Sequence, residues 1–220
     1  MLSAASLATA SAQKIDRAEA MRFLQQASFG PTEASIQDVM RLGYGGWLEH
    51  QFSLQGSSAR QRFETHTSAT GSFHRKYVPA YFWEQAIYAP DQLRARTTFA
   101  LSQIVVAAVS NPFHYKAYGN YIDMLQRQSF GNYCDLIREV SFSPAMAHYL
   151  TFFQNQRADP ETGRAPDENY ARELLQLFTI GVEELRLDGR PKGRETYTSA
   201  DVEGLASVFT GFALPARRFK

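Results

Sequence analysis

The chain lacks most features that would announce a chemistry. It holds one cysteine, Cys134, in 220 residues, which excludes an internal disulfide framework and a cysteine-rich zinc site. A lone cysteine of this kind is expected as a small buried apolar residue. Charge of one sign is missing too. The 23 basic and 22 acidic side chains leave a formal net charge of +1, without the basic excess that a nucleic-acid partner requires. No long apolar run is present. The most apolar stretch, "TTFALSQIVVAAV" from Thr97 to Val109, is well short of the roughly 18 residues that span a bilayer. Gln103 interrupts it, and it reads as a buried core helix rather than a transmembrane helix. GxGxxG, the Walker loop, HExxH, CxxC and the GxSxG elbow are all absent. Their absence removes the commonest nucleotide, zinc-protease and hydrolase readings.

What remains is an ordinary globular composition, 44% hydrophobic and 20% charged, on a chain long enough to bury a core. Helical spacing recurs between Gly, Pro and Asn stops, and no stretch alternates with period two for long. The expected fold is therefore all-α, a multi-helix, bundle-like domain with short Gly/Pro-punctuated connections. Arg17–Ala27 puts Ala20, Met21, Leu24 and Ala27 on one face. Thr32 caps the next helix, with Ile36, Val39 and Met40 in line before Gly43. "YGGWLEHQF" continues it with Trp47 and Phe52 inward. Residues 55–71 are polar and read as a mobile loop. Helical spacing returns over 78–88, with Tyr81, Phe82, Ile87 and Tyr88 as core contacts. Asp91 is placed to cap a helix running to Val109, closed by Asn111-Pro112. Three further helices are expected at 115–128, 133–140 and 144–153. "RLDGRPKGRE" is a turn or small hairpin, and Thr198 and Asp201 have capping-box spacing.

The densest segment is "APDENYARELLQLFTIG" (165–181). A 3.6-residue turn puts Tyr170, Leu174, Leu177 and Phe178 on one face. Glu168 and Arg172 are four apart, as are Asn169 and Glu173, so the other face carries two complementary pairs. Asp167 and Glu168 suit the positive end of the helix dipole, and Gly181 supplies a left-handed stop. That polar face is expected to be covered in the complete protein. The candidate site residues are Glu168, Arg172, Glu173 and Asp201, with His148. Five histidines are present, and no two stand three or four apart, so none forms a ready metal pair. His148, in "PAMAHYL", reads as a partly buried, satisfied histidine, with a role as base the sharper alternative. Asp159, Glu161 and Asp167 do not complete a calcium loop. No metal is expected, and no cofactor or substrate is named by these residues.

The start, "MLSAASLATASAQK", is small and uncharged up to Lys14. Ala10-Ser11-Ala12 fits the small-x-small rule for cleavage before Gln13. Residues 1–12 are read as the remnant of an export signal, with residues 13–220 forming the folded part. The expected location is periplasmic or extracellular.

"FLQQASFGPT", "LGYGGWLEHQF", "RARTTFALSQIVV", "PAMAHYL", "PDENYARELLQLFTIG" and "YTSADVEGLASVFTGF" occur in this order. Together they resemble the bacterial domain-of-unknown-function family DUF1800, over about Met21 to Phe212. The resemblance implies an exported, mostly helical protein of uncharacterised activity, and it carries over no catalytic residues. Members of that family are longer, so it also implies that this chain is the N-terminal part of a larger helical fold. Two readings of function follow. One is a structural or interaction module with a protein partner at the bacterial cell envelope. The other is an exported enzyme whose carboxylate and arginine site on helix 167–180 is completed by residues outside this chain.

Overall fold

Asp16 opens the first helix with a capping box, accepting the N–H of Glu19 while the Glu19 carboxylate takes the N–H of Asp16. Helix α1 (Arg17–Ala27) follows. The computed structural model describes residues 14–108 and 114–213, so the export-signal reading of residues 1–12 lies outside the described residues. Helix α2 (Glu33–Ser53) starts with a second capping box, Thr32 with Ser35, and Gly43 at φ 74° kinks it into two pieces. Ala20, Leu24, Ile36, Val39 and Trp47 meet as a small core of their own. Arg17 closes over it with a bidentate pair to Glu33 at 2.7 and 2.8 Å. Phe52, expected inward, is exposed and meets Phe130 edge-on at 4.8 Å.

Residues 55–71 are not a loop throughout. Helix α3 (Ala59–Thr70) occupies most of them, although it buries only Ala59 and Phe63. Its start is held from outside. Asp123, on α6 (Tyr115–Arg127), accepts the Ala59 N–H at 2.6 Å and the Ser58 hydroxyl at 2.7 Å. One turn earlier on α6, Gly119 lies so close to α3 that an added Cβ would stand 2.6 Å from the Arg60 Cα. The two helices touch backbone to backbone there.

Helix α4 (Tyr77–Tyr88) buries Tyr77 and Tyr81. Ile87 and Tyr88, expected in the core, are exposed, because the buried face turns toward Phe63 and Phe73. Helix α5 (Gln92–Ile104) is shorter than expected, and Val109 with the Asn111-Pro112 stop lies outside the described residues. It is a half-buried helix rather than a core one. Thr98 is its buried residue, while Ile104 and Val106 are exposed. Asp91 stands at its N-cap without making a side-chain cap bond. The cap comes instead from α2: Gln51 accepts the Leu93 N–H at 3.0 Å and donates to the Pro90 carbonyl at 3.1 Å. After α5, the Tyr121 hydroxyl donates to the Val105 carbonyl.

A 3₁₀ turn (Gln128–Phe130) leads to α7 (Tyr133–Ser141) and α8 (Pro144–Tyr149). The latter stops short of Phe153. Cys134 is exposed, not buried, because α7 turns Leu136 and Val140 inward. Helix α9 (Asn169–Glu173) passes directly into a π-helical turn (Leu174–Thr179). The Ile180 N–H reaching the Leu175 carbonyl at 3.1 Å, five residues back, marks it. The wider turn breaks the expected apolar stripe. Tyr170 and Phe178 stay buried and Leu177 is exposed. Strands β1 (Glu183–Leu185) and β2 (Pro191–Glu195) form an antiparallel hairpin. Helix α10 (Ser199–Val208) ends the described fold, with Thr198 and Asp201 in the expected capping box. The main core gathers Tyr121, Leu125, Met146, Phe152, Tyr170 and Phe209. The fold is all-α, as the periodicity indicates, with strand confined to that hairpin among the described residues.

Candidate functional site

The entry to α9 is fixed by the loop after α8. Asn155, buried, accepts the Asp167 N–H at 2.9 Å and donates to the Asp167 carbonyl at 3.1 Å. Thr151 donates its hydroxyl to the Asp167 carboxylate at 2.9 Å, and the Asn169 N–H reaches the other oxygen at 2.9 Å. The same loop holds the far end of α10, through Gly211 N–H to Asn155 carbonyl and Gln154 N–H to Phe212 carbonyl, both 2.8 Å. Thr151 and Gln154 sit in the left-handed region, at φ 64° and 60°. Non-glycine residues there cost about 1–3 kcal/mol each, and such strain gathers at functional junctions. Sequence reading missed both: Thr151 falls within the helix expected over 144–153, which in fact ends at Tyr149, and Asn155 belongs to no periodic segment or short motif.

Of the predicted site residues, the structure brings Glu168 and Arg172 together, with Nη2 to Oε2 at 2.8 Å. Their side chains are 36% and 47% exposed, so within this chain the face is wet. A pair so placed contributes under about 1 kcal/mol. Asn169 turns back toward Thr151 at 3.4 Å. Glu173 differs from its neighbours, for its Oε2 is buried and has no hydrogen-bond partner. Asp201 is held by Thr198. The Thr198 N–H at 2.8 Å and hydroxyl at 2.7 Å hold its carboxyl below the usual carboxylate range. That capping role accounts for its place in the sequence.

His148 lies elsewhere. Its ring stacks on His114 with centroids 4.0 Å apart, and Phe153 lies 4.3 Å away. His114 Nδ1 is buried without a partner. Burial first, and His114 second, hold the His148 imidazole below its ordinary value of 6.5. The unfolded chain therefore binds the proton more readily than the native one. The contribution of His148 to stability is full above pH 6.5 and is lost as the pH falls through the lower native value. Thermal melts between pH 8 and pH 5 should show this fall, and His148→Phe, which keeps the stacking, should flatten it. An unchanged slope in that variant would show that His148 is not its source.

Among the described residues no helix is long and apolar enough to cross a membrane. The fold and this junction define an all-α, multi-helix domain with a strained polar loop set against one short helix. Residues 22–220 match the family described as "Protein of unknown function (DUF1800)", and the chain belongs to that family. No curated protein and no solved structure matches it.

Proposed function

We propose that the protein is exported and serves as an interaction module at the bacterial cell envelope, docking an apolar segment of a protein partner. One observation carries this reading. Between residues 177 and 187, Leu177, Ile180, Val182, Leu185 and Leu187 are all exposed, Leu187 completely. Five large apolar side chains within so short a stretch mark a contact surface rather than scattered exposure. The β1–β2 hairpin presents part of it, and on that hairpin Glu184 pairs with Lys192 and Arg194. A polar rim around an apolar centre is the anatomy of a protein interface. The small-x-small pattern at Ala10-Ser11-Ala12 supports the envelope location.

A photo-crosslinking amino acid at position 187, in the native bacterial host, tests the proposal. The expected result is one discrete adduct with an envelope protein. Crosslinks only to a second copy of the chain, or none at all, would overturn it.

A second reading has its own support. The partnerless buried oxygen of Glu173 and the strained Thr151–Asn155 loop favour an enzyme whose carboxylate and arginine site is completed from outside this chain. Glu173→Gln would then leave the melt nearly unchanged and abolish the activity.

A further inference from the structure

Helices α4, α5 and α6 each turn a stripe toward a common space that they do not fill. A cavity of about 210 Å³ lies between them. One wall is a cluster of phenylalanines. Phe29 meets Phe82 edge-on at 5.5 Å, and Phe99 stands 5.0 Å from Phe82. Tyr118 and Ile122 of α6 line the cavity as well. Rings arranged in this way leave faces and edges for another flat ring, which packs best offset or edge-on.

The polar end of the cavity is ordered and directional. Ser57 gives its single hydroxyl proton to Gln85 at 2.6 Å, so the Tyr81 hydroxyl is the donor in its 2.8 Å contact with Ser57. Tyr81 in turn accepts from Gln126 Nε2 at 2.8 Å. These groups are satisfied by one another. Asp91 stands outside that chain of bonds, with its own backbone N–H against its carboxyl. Gln51 has taken over the capping that Asp91 occupies the position for, and the Asp91 side chain is only 4% exposed. Its nearest cation is Arg94 Nε at 3.6 Å, beyond hydrogen-bond reach. The Arg94 Nη groups are spent on the carbonyls of Gln126 and Leu54, each at 3.0 Å, while Nε has no hydrogen-bond partner. Burial pushes the Asp91 carboxyl above the ordinary carboxylate range, with its own backbone N–H and Arg94 pulling the other way. A buried carboxylate at the edge of an aromatic cavity, with its countercharge already close, suits a neutral ligand's hydrogen-bond donor better than a second cation.

We propose that this cavity is a binding site for a neutral, flat, one- or two-ring aromatic molecule bearing an N–H or O–H group, which donates to Asp91. The size fits the class. An apolar cavity of about 150 Å³ holds benzene, so this one admits a fused bicycle. The site is independent of the exposed surface at 177–187.

Indole is the probe, and naphthalene its counterpart without the donor. Calorimetric titration of the full chain with indole should show saturable one-to-one binding. Ser102→Trp, which fills the cavity from its lining, should abolish that binding while the melt stays cooperative. If that variant does not fold, Ile122→Phe reads the same loss of space from α6. Asp91→Asn should weaken indole by about fivefold, the difference between a charged and a neutral acceptor, and leave naphthalene unchanged. Failure of indole to saturate, or equal binding by the filled variant, would overturn the site. Equal losses of indole and naphthalene in Asp91→Asn would remove Asp91 from it.

Discussion

Tyr170→Ala is expected to be the most damaging single substitution, lowering the melting temperature by roughly 8–16 °C. Tyr170 is fully buried at the centre of the main core. Its ring lies 4.4 Å from Phe152 and 4.8 Å, edge-on, from Phe209. Its hydroxyl donates to Ser141 at 2.7 Å, since Ser141 gives its own proton to the Ile137 carbonyl. Removing the ring leaves a cavity among aromatics that cannot collapse together, at about 4 kcal/mol, and roughly 2–4 °C is lost per kcal/mol in a chain of this size. Tyr170→Phe separates the terms. It keeps the packing and loses one hydrogen bond, about 1 kcal/mol. Thermal denaturation of both variants checks this, and equal effects would place the stabilisation in the hydroxyl rather than the ring.

Gly119→Ala should destabilise although it improves helix propensity. In an open helix the exchange gains about 1 kcal/mol. At Gly119 the new methyl meets backbone, with the Arg60 Cα at 2.6 Å and the Arg60 N at 3.0 Å, and backbone does not swing aside as a side chain does. Overpacking of that kind costs about 3 kcal/mol, so the net loss is about 2 kcal/mol, or roughly 4–8 °C. Gly204 in α10 is the control, for a Cβ there meets nothing within 4 Å, and Gly204→Ala should raise the melt. Two shifts of the same sign would mean that α3 and α6 yield more easily than their contact implies.

Much of this fold was legible where a helix explains itself locally. The cap at Thr32, the capping box at Thr198, the break at Gly43 and the stop at Gly181 are short-range chemistry, and each stands where the residues put it. Helix α3 was not legible. It buries two residues, and its first turn is held by Asp123, 64 residues away from Ala59. The exposed Leu177 was misplaced because a π turn shifts every later side chain around the axis, and periodicity assumes that no such turn occurs. The candidate site was half legible. Glu168 and Arg172 pair as their spacing indicates, but the strained loop that positions them begins at Thr151, where helical spacing was expected to run on to Phe153. The aromatic cavity was invisible, because its lining is gathered from α4, α5 and α6 with Phe29 and Phe63 from outside them, residues far apart in the sequence.

The Gln51 cap on α5 has a consequence for how the molecule comes apart. Its amide bonds Leu93 across 42 residues, and Leu93 also packs against the small core of α1 and α2. The first turn of α5 is thus completed by a helix from a different cluster. If α1 and α2 loosen, the Leu93 amide loses its acceptor at the same moment. Amide protons at the start of α5 therefore exchange with solvent on the schedule of the N-terminal pair rather than that of the main core. Faster exchange there than at the end of α5 is the outcome to look for.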